Sequence, residues 1–236
     1  MKNVFLQSFN FKLKMSSTEK ETAQAVKKGS FIQENTKSLA FIAAAIIVLA
    51  GIFIWYQGVY LKNRAEDASK EMFKAEQFVG IDSLADKAIK GEGGYAGLEK
   101  IAEEYENTKS ANLANLYLGG LYLRKGEYKK AVDALSKYSA TGSAVIDPLA
   151  LGLLGDAYSE LKDYKQAATY YKKAVDKSTN NFTSPLFLKK LGLVNENLKD
   201  FKGAEEAYSK IKAEFPNSQE AQMIDAYIAR AAAKAK

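Results

Sequence analysis

One phrase recurs three times in this chain. Leu118-Gly119 is followed by Tyr128 and Ala131, Leu154-Gly155 by Tyr164 and Ala167, and Leu191-Gly192 by Phe201 and Ala204. In each copy the aromatic stands nine residues after the glycine and the alanine twelve, and successive copies are 36 and 37 residues apart. A fixed period of this size is the mark of stacked repeats. One such unit cannot bury its apolar face alone, so neighbours supply a shared core.

A glycine inside a helix costs about 1 kcal/mol relative to alanine, so a recurring one needs a packing reason. The expected reason is close approach of a second helix, with Ala131, Ala167 and Ala204 as its matching small face. Tyr122 and Tyr158 follow their glycines by one helical turn, and Asn195 takes that place in the third copy. Lys125-Gly126-Glu127, Lys162-Asp163 and Lys199-Asp200 are short polar breaks suited to helix–helix turns. Strand signals are almost absent. The three prolines, at 148, 185 and 216, fall at predicted helix starts or turns, so the chain reads as all-α.

This layout resembles the tetratricopeptide repeat, whose pattern runs Leu-Gly, Tyr, Ala, a second aromatic and a closing Pro. The second copy carries Leu154, Gly155, Tyr158, Ala167, Tyr171 and Ala174, and the third Leu191, Gly192, Ala204, Tyr208 and Pro216. The first has Leu118, Gly119, Tyr122 and Ala131, with Leu135 in place of the second aromatic. The copies exceed the family's usual period of about 34 residues. The resemblance implies a right-handed helical solenoid with repeats at about 112–147, 148–184 and 185–216. Upstream, Tyr95, Leu98, Ile101, Ala102 and Tyr105 read as a second helix whose first partner has eroded. Downstream, a capping helix is expected over 218–233, with Ser218 as its N-cap.

From Leu39 to Tyr56 the chain is apolar, and no charged residue occurs between Lys37 and Lys62. About 20 such residues span a bilayer. Trp55, Tyr56 and Tyr60 stand where an interfacial aromatic belt belongs. A cleaved signal peptide would have a shorter apolar core followed by small residues, and here Trp55-Tyr56-Gln57-Gly58 follows instead. The expected organisation is a cytoplasmic tail over 1–38, a single N-terminal transmembrane helix over 39–58, a helix continuing from it over 59–80, and the repeat domain over 81–236. Lysines and arginines near the two ends of the span balance. Lys2, Lys12 and Lys14 tilt the N-terminus inward, unless Met15 is the true start.

After the span, Leu61, Ala65, Ala68, Met72, Ala75 and Val79 form an apolar seam with alternating four- and three-residue steps. Two readings stay open here. The seam packs against the first repeat, or it takes a partner helix and makes a homo-oligomer.

Composition narrows the chemistry. The chain has no His and no Cys, which excludes Ser–His–Asp and Cys–His catalysis and Cys- or His-based zinc sites. Gly91-Glu92-Gly93-Gly94 lacks the Lys-Ser/Thr of a phosphate loop. Glu103-Glu104 and Glu205-Glu206 read as solvated helix faces. The net charge of +6 is concentrated in the tail, where residues 1–38 hold seven Lys and three Glu, so no basic stripe for nucleic acid remains. The chain is expected to be neither an enzyme nor a nucleic-acid binder, and to need no cofactor or metal.

Phe31-Ile32-Gln33-Glu34-Asn35-Thr36-Lys37-Ser38-Leu39-Ala40, then the apolar span, then Ala65 to Val79, resemble the YfgM-like ancillary subunits of the SecYEG translocon. That resemblance implies a single-pass inner-membrane protein with a cytoplasmic N-terminus and a periplasmic repeat domain. Its implied partners are the translocon, a membrane-anchored periplasmic prolyl isomerase and exported chains, for which it acts as adaptor and chaperone partner. The alternative is a membrane-anchored scaffold for envelope assembly or cell division. Placing the tetratricopeptide register on the chain points certain side chains into the concave groove. Copy one supplies Leu113, Leu116, Leu123 and Arg124. Copy two supplies Leu149, Asp156 and Ser159, and copy three Leu186, Lys189, Leu193 and Asn197. Only Lys189 and Asn197 come near the cationic set that grips a C-terminal carboxylate, so that binding mode is not expected.

Overall fold

A computed structural model describes residues 35–236, and among them every regular element is helical. The tail, the alternative start at Met15 and the Phe31–Glu34 part of the lead phrase lie outside the described residues. The chain divides into two units, one ending at Leu61 and the other running from Lys62 to Lys236.

The first unit holds α1 (Thr36–Trp55), followed by a π-helical turn (Tyr56–Tyr60). No side chain of α1 is buried, although the helix is apolar on all sides. Phe41 and Ile47 are each more than two-thirds exposed. An all-round apolar helix with no buried residue is matched to a nonpolar surrounding rather than to water. It is long and apolar enough to cross a membrane. At its C-terminal end, the rings of Trp55 and Tyr56 stack on Tyr60, with centroids 6.3 and 5.3 Å away.

The second unit begins within α2 (Leu61–Val79), one residue after its start, and continues with α3 (Ala85–Lys90) and α4 (Leu98–Glu104). Three hairpins follow: α5 (Lys109–Arg124) with α6 (Tyr128–Ser136), α7 (Ile146–Glu160) with α8 (Tyr164–Lys177), and α9 (Ser184–Asn197) with α10 (Phe201–Glu214). A last helix, α11 (Ile224–Lys234), packs on α10. The first hairpin starts with Thr108 as N-cap, its hydroxyl accepting the Ala111 N–H at 3.1 Å. Ser218 does accept the Ala221 N–H at 3.2 Å. The segment it caps, however, winds as a 3-10 turn (Glu220–Met223), and the expected capping α-helix begins only at Ile224.

The seam on α2 resolves between its two readings. Ala68, Met72 and Ala75 are buried, and Met72 and Ala75 share a core with Ile89, Leu98, Ile101, Leu118 and Tyr122. The Arg64 guanidinium donates to the Glu104 carbonyl, and the Ala96 N–H donates to Glu71 Oε2 at 3.1 Å. Thus α2 is the first partner that α4 lacked in sequence. The middle of the seam is thus covered by this chain itself, as the first of the two readings has it.

The repeat glycines make room as expected, but not for the expected partner. A Cβ on Gly119 would overlap the Leu135 side chain, one on Gly155 would overlap the Tyr171 ring, and one on Gly192 the Tyr208 ring. These residues stand four positions after the repeat alanines. The alanines themselves are fully buried, and the large side chain one turn later fills the space over the glycine.

Each hairpin turn is the same double-bonded C-cap. Glu127, Asp163 and Asp200 donate their N–H groups to Tyr122, Tyr158 and Asn195 at 2.8, 2.9 and 2.8 Å. The preceding residues, Gly126, Lys162 and Lys199, take left-handed φ values of 74°, 62° and 62°. This motif satisfies the last carbonyls of the helix and needs one left-handed residue, a place that favours glycine. Two copies put lysine there. Lys162→Gly should therefore raise stability by about 0.5–1 kcal/mol, since a left-handed lysine is strained by roughly 1–2 kcal/mol and glycine gives back part of that as chain entropy. Urea denaturation of the single variant checks it, and a lower midpoint than the parent would contradict the strain argument.

Candidate protein-binding surfaces

The first helices α5, α7 and α9 carry the residues assigned to the groove, and the structure separates them into three groups. Leu113 and Leu123 are half-buried, bridging the core around Met72 and the core around Leu116. Leu149 and Leu186 are half-buried against the core of the third copy. Ser159 is half-buried near the end of α7. Leu193 and Asn197 are exposed, and the Asn197 side-chain amide donates to the Leu193 carbonyl at 3.0 Å. Arg124 is also exposed, but it works within the chain. Its guanidinium donates to the Val79 carbonyl at 2.7 Å and pairs with Asp82 at 3.3 Å.

Three of the assigned residues, Leu116, Lys189 and Asp156, make contacts between successive helices. The place three residues before each glycine faces the next first helix, not the groove. Leu116 is 5 % exposed and packs in one cluster with Ala150 and Leu154. Gly152, at the same place in copy two, would meet the Phe187 ring if it carried a Cβ. Lys189, at that place in copy three, lies over Tyr227 of α11, 5.2 Å from the ring centroid. Asp156 is likewise engaged between repeats. It accepts the Tyr171 hydroxyl at 2.7 Å and the Lys190 ammonium at 2.7 Å.

That arrangement recurs one copy later with different residues. Glu196 accepts the Tyr208 hydroxyl at 2.9 Å, and Arg230 grips it with two bonds of 2.6 and 3.1 Å. Burial pushes the Glu196 carboxyl up, but the bonds from Arg230 and Tyr208 outweigh it and hold the group below the usual glutamate range. Burial also pushes the Tyr171 and Tyr208 hydroxyls up, so both stay protonated and donate. In copies two and three a carboxylate on the first helix thus joins its own second helix to the helix that follows the hairpin, α9 for Asp156 and α11 for Glu196.

Residues 90–196 match the family described as tetratricopeptide repeat-like domain, and residues 190–218 match the tetratricopeptide repeat itself. The chain carries tetratricopeptide-like repeats. No curated protein matches it. The matched region contains the three hairpins and α4. The covers at its two ends, α2 and α11, fall outside it.

The tetratricopeptide array also has a surface that the groove register did not indicate. Between α4 and α6, over α5, lies an open cleft of about 1110 Å³ lined by Glu99, Asn115, Tyr122, Lys130, Ala134 and others. A second, of about 460 Å³, lies between α8 and α10 over α9. Both are on the second-helix side of the array. The place fifteen residues after each repeat glycine is occupied by Ala134, Tyr170 and Ala207 in turn, and this is the sequence signal for the clefts. Where that place is tyrosine, its ring stacks on Tyr158 at 5.3 Å and fills the gap. Where it is alanine, the gap stays open.

Proposed function

We propose that this chain is a membrane-tethered adaptor for protein partners. In this reading α1 crosses the inner membrane with the N-terminus in the cytoplasm, and the tetratricopeptide array works in the periplasm. There it serves as an ancillary subunit beside the SecYEG translocon and a membrane-anchored prolyl isomerase, assisting exported chains. The observation that carries the reading is the continuity between the apolar segment and the array. The apolar segment is followed in sequence by α2, in which Ala68, Met72 and Ala75 are buried, the last two in one core with Leu118 and Tyr122 of the first repeat. The apolar helix is therefore followed directly by a structural layer of the domain. Tethering of this kind raises the effective concentration of partners held at the same membrane, so weak contacts suffice.

Leu193 is the groove position to test, because it is exposed while Leu116 is not. A photo-crosslinking residue at 193 in the full chain, in cells, should capture translocon subunits, the prolyl isomerase or exported chains. Recovery of only lipid and self-crosslinked products would end the reading, and a set dominated by envelope-assembly proteins would replace it with the scaffold. Protease added to intact spheroplasts should digest the array. Full protection, with control substrates digested, would overturn the periplasmic location.

A further inference from the structure

The open cleft over α5 has a counterpart within the same molecule that shows what fits it. In copy two, Tyr170 of α8 fills the gap between second helices by stacking on Tyr158 of α7. Copy one has the same platform, Tyr122, but Ala134 stands where the second ring would be. The third copy lacks the platform as well, with Asn195 there, and its cleft is less than half as large. The first cleft alone therefore combines an aromatic platform with space for another ring. Its surroundings are polarised. Glu103 and Glu106 on the α4 side are exposed and form no ion pair among the described residues, whereas Lys130 and Lys137 line the α6 side. The Lys130 ammonium lies over the Tyr122 ring at 5.3 Å and is paired with Glu127 at 2.6 Å. With this ammonium in place Tyr122 is 5 % exposed, so docking requires Lys130 to leave the face of the ring while keeping its bond to Glu127.

We propose that this cleft is a docking site for a protein segment that inserts one tyrosine or phenylalanine against Tyr122, with a lysine or arginine beside it that meets Glu103 and Glu106. The inserted ring takes the place that Tyr170 holds in the neighbouring repeat. Aromatic pairs offset in this way attract beyond their buried area, and aromatic anchors in such pockets dominate binding. The site lies on the second-helix side, so it adds a surface to the adaptor reading and does not use the groove.

The test uses the full chain in detergent micelles with isotope-labelled alanine methyls. The probes are two peptides, acetyl-Lys-Tyr-Lys-amide and acetyl-Lys-Ala-Lys-amide. The tyrosine peptide should shift the methyls of Ala111 and Ala134, both of which line the cleft. It should bind at least about tenfold tighter than the alanine peptide, as expected for an aromatic anchor. Ala134→Tyr, which fills the cleft from within, should abolish the Ala111 shift, whereas Ala207→Tyr in the other cleft should leave it. Equal responses to the two peptides, no response at Ala111 and Ala134, or shifts at Ala150 and Ala157 only would each overturn the proposal. The comparison of peptides on the unaltered chain holds even if Ala134→Tyr folds poorly. Failure here leaves crosslinking from Leu193 unaffected, so the two ideas fail separately.

Discussion

Replacing Gly155 with alanine should destabilise the array by about 3 kcal/mol, at the upper end of what overpacking a core costs. A Cβ there would lie 2.5 Å from both Cδ1 and Cε1 of Tyr171. The ring cannot give way. It is 3 % exposed, its hydroxyl is held by Asp156 at 2.7 Å, and Phe187 stacks on it at 6.2 Å. Alanine is the better helix former by about 1 kcal/mol, so propensity alone predicts the opposite sign. Gly120 supplies the control. It is helical, nothing lies within 4 Å of where its Cβ would be, and Gly120→Ala should therefore gain up to about 1 kcal/mol. Urea denaturation of both variants decides the matter. In a double-mutant cycle, Tyr171→Ala should absorb most of the cost of Gly155→Ala, because the two changes act on one space. A Gly155→Ala protein as stable as its parent would show that the glycine is not there for the ring.

Asp147 should be the most sensitive polar residue. Its carboxylate is 2 % exposed and draws the 138–142 loop onto the start of α7. Oδ1 accepts the Tyr138 hydroxyl at 2.9 Å and the Thr141 N–H at 2.8 Å, and Oδ2 accepts the Gly142 N–H at 2.9 Å. Asp147→Ala strands these donors and should cost about 3 kcal/mol, as expected when several bonds to one buried charge are lost together. Burial pushes this carboxyl up, but the Thr141, Tyr138 and Gly142 donors outweigh it and hold it below the usual aspartate range. A carboxyl lowered in the folded state contributes stability above its unfolded value, near pH 4, and loses it as pH falls through the folded value. Asp147→Asn keeps the shape but not the charge. Its deficit relative to the parent should be widest at neutral pH and should narrow below about pH 4. A gap that stays constant into acid would assign the loss to packing rather than to the carboxylate.

The offsets from glycine made the hairpins and their order legible, because a repeated backbone needs the same small residue at the same place. The partner of each glycine was not legible. Whether Ala167 or Tyr171 faces Gly155 depends on how far the second helix is turned about its axis, and both are good candidates by type. The groove assignments divided for a similar reason. On a helix, the inner face and the face toward the next repeat adjoin, so a step of three residues moves Leu116 from one to the other. The seam on α2 was visible as a seam, and only burial of Ala68, Met72 and Ala75 showed what covers it. The clasp on Asp147 left no pattern at all, since two of its donors are main-chain groups that any sequence possesses.

The contacts between first helices imply a fixed running order for the copies. Leu116 of copy one packs in one cluster with Ala150 of copy two, a large side chain with a small one, and Gly152 of copy two faces Phe187 of copy three, a small one against a large. The two junctions are thus keyed in opposite senses. Excising 148–184 would keep the remaining repeat glycines, Gly119 and Gly192, in phase, yet it would put Phe187 in the place of Ala150 and drive Leu116 against it. Units that read alike along the chain are therefore not interchangeable parts, and a shortened array would have to recut one of these two faces before it could close.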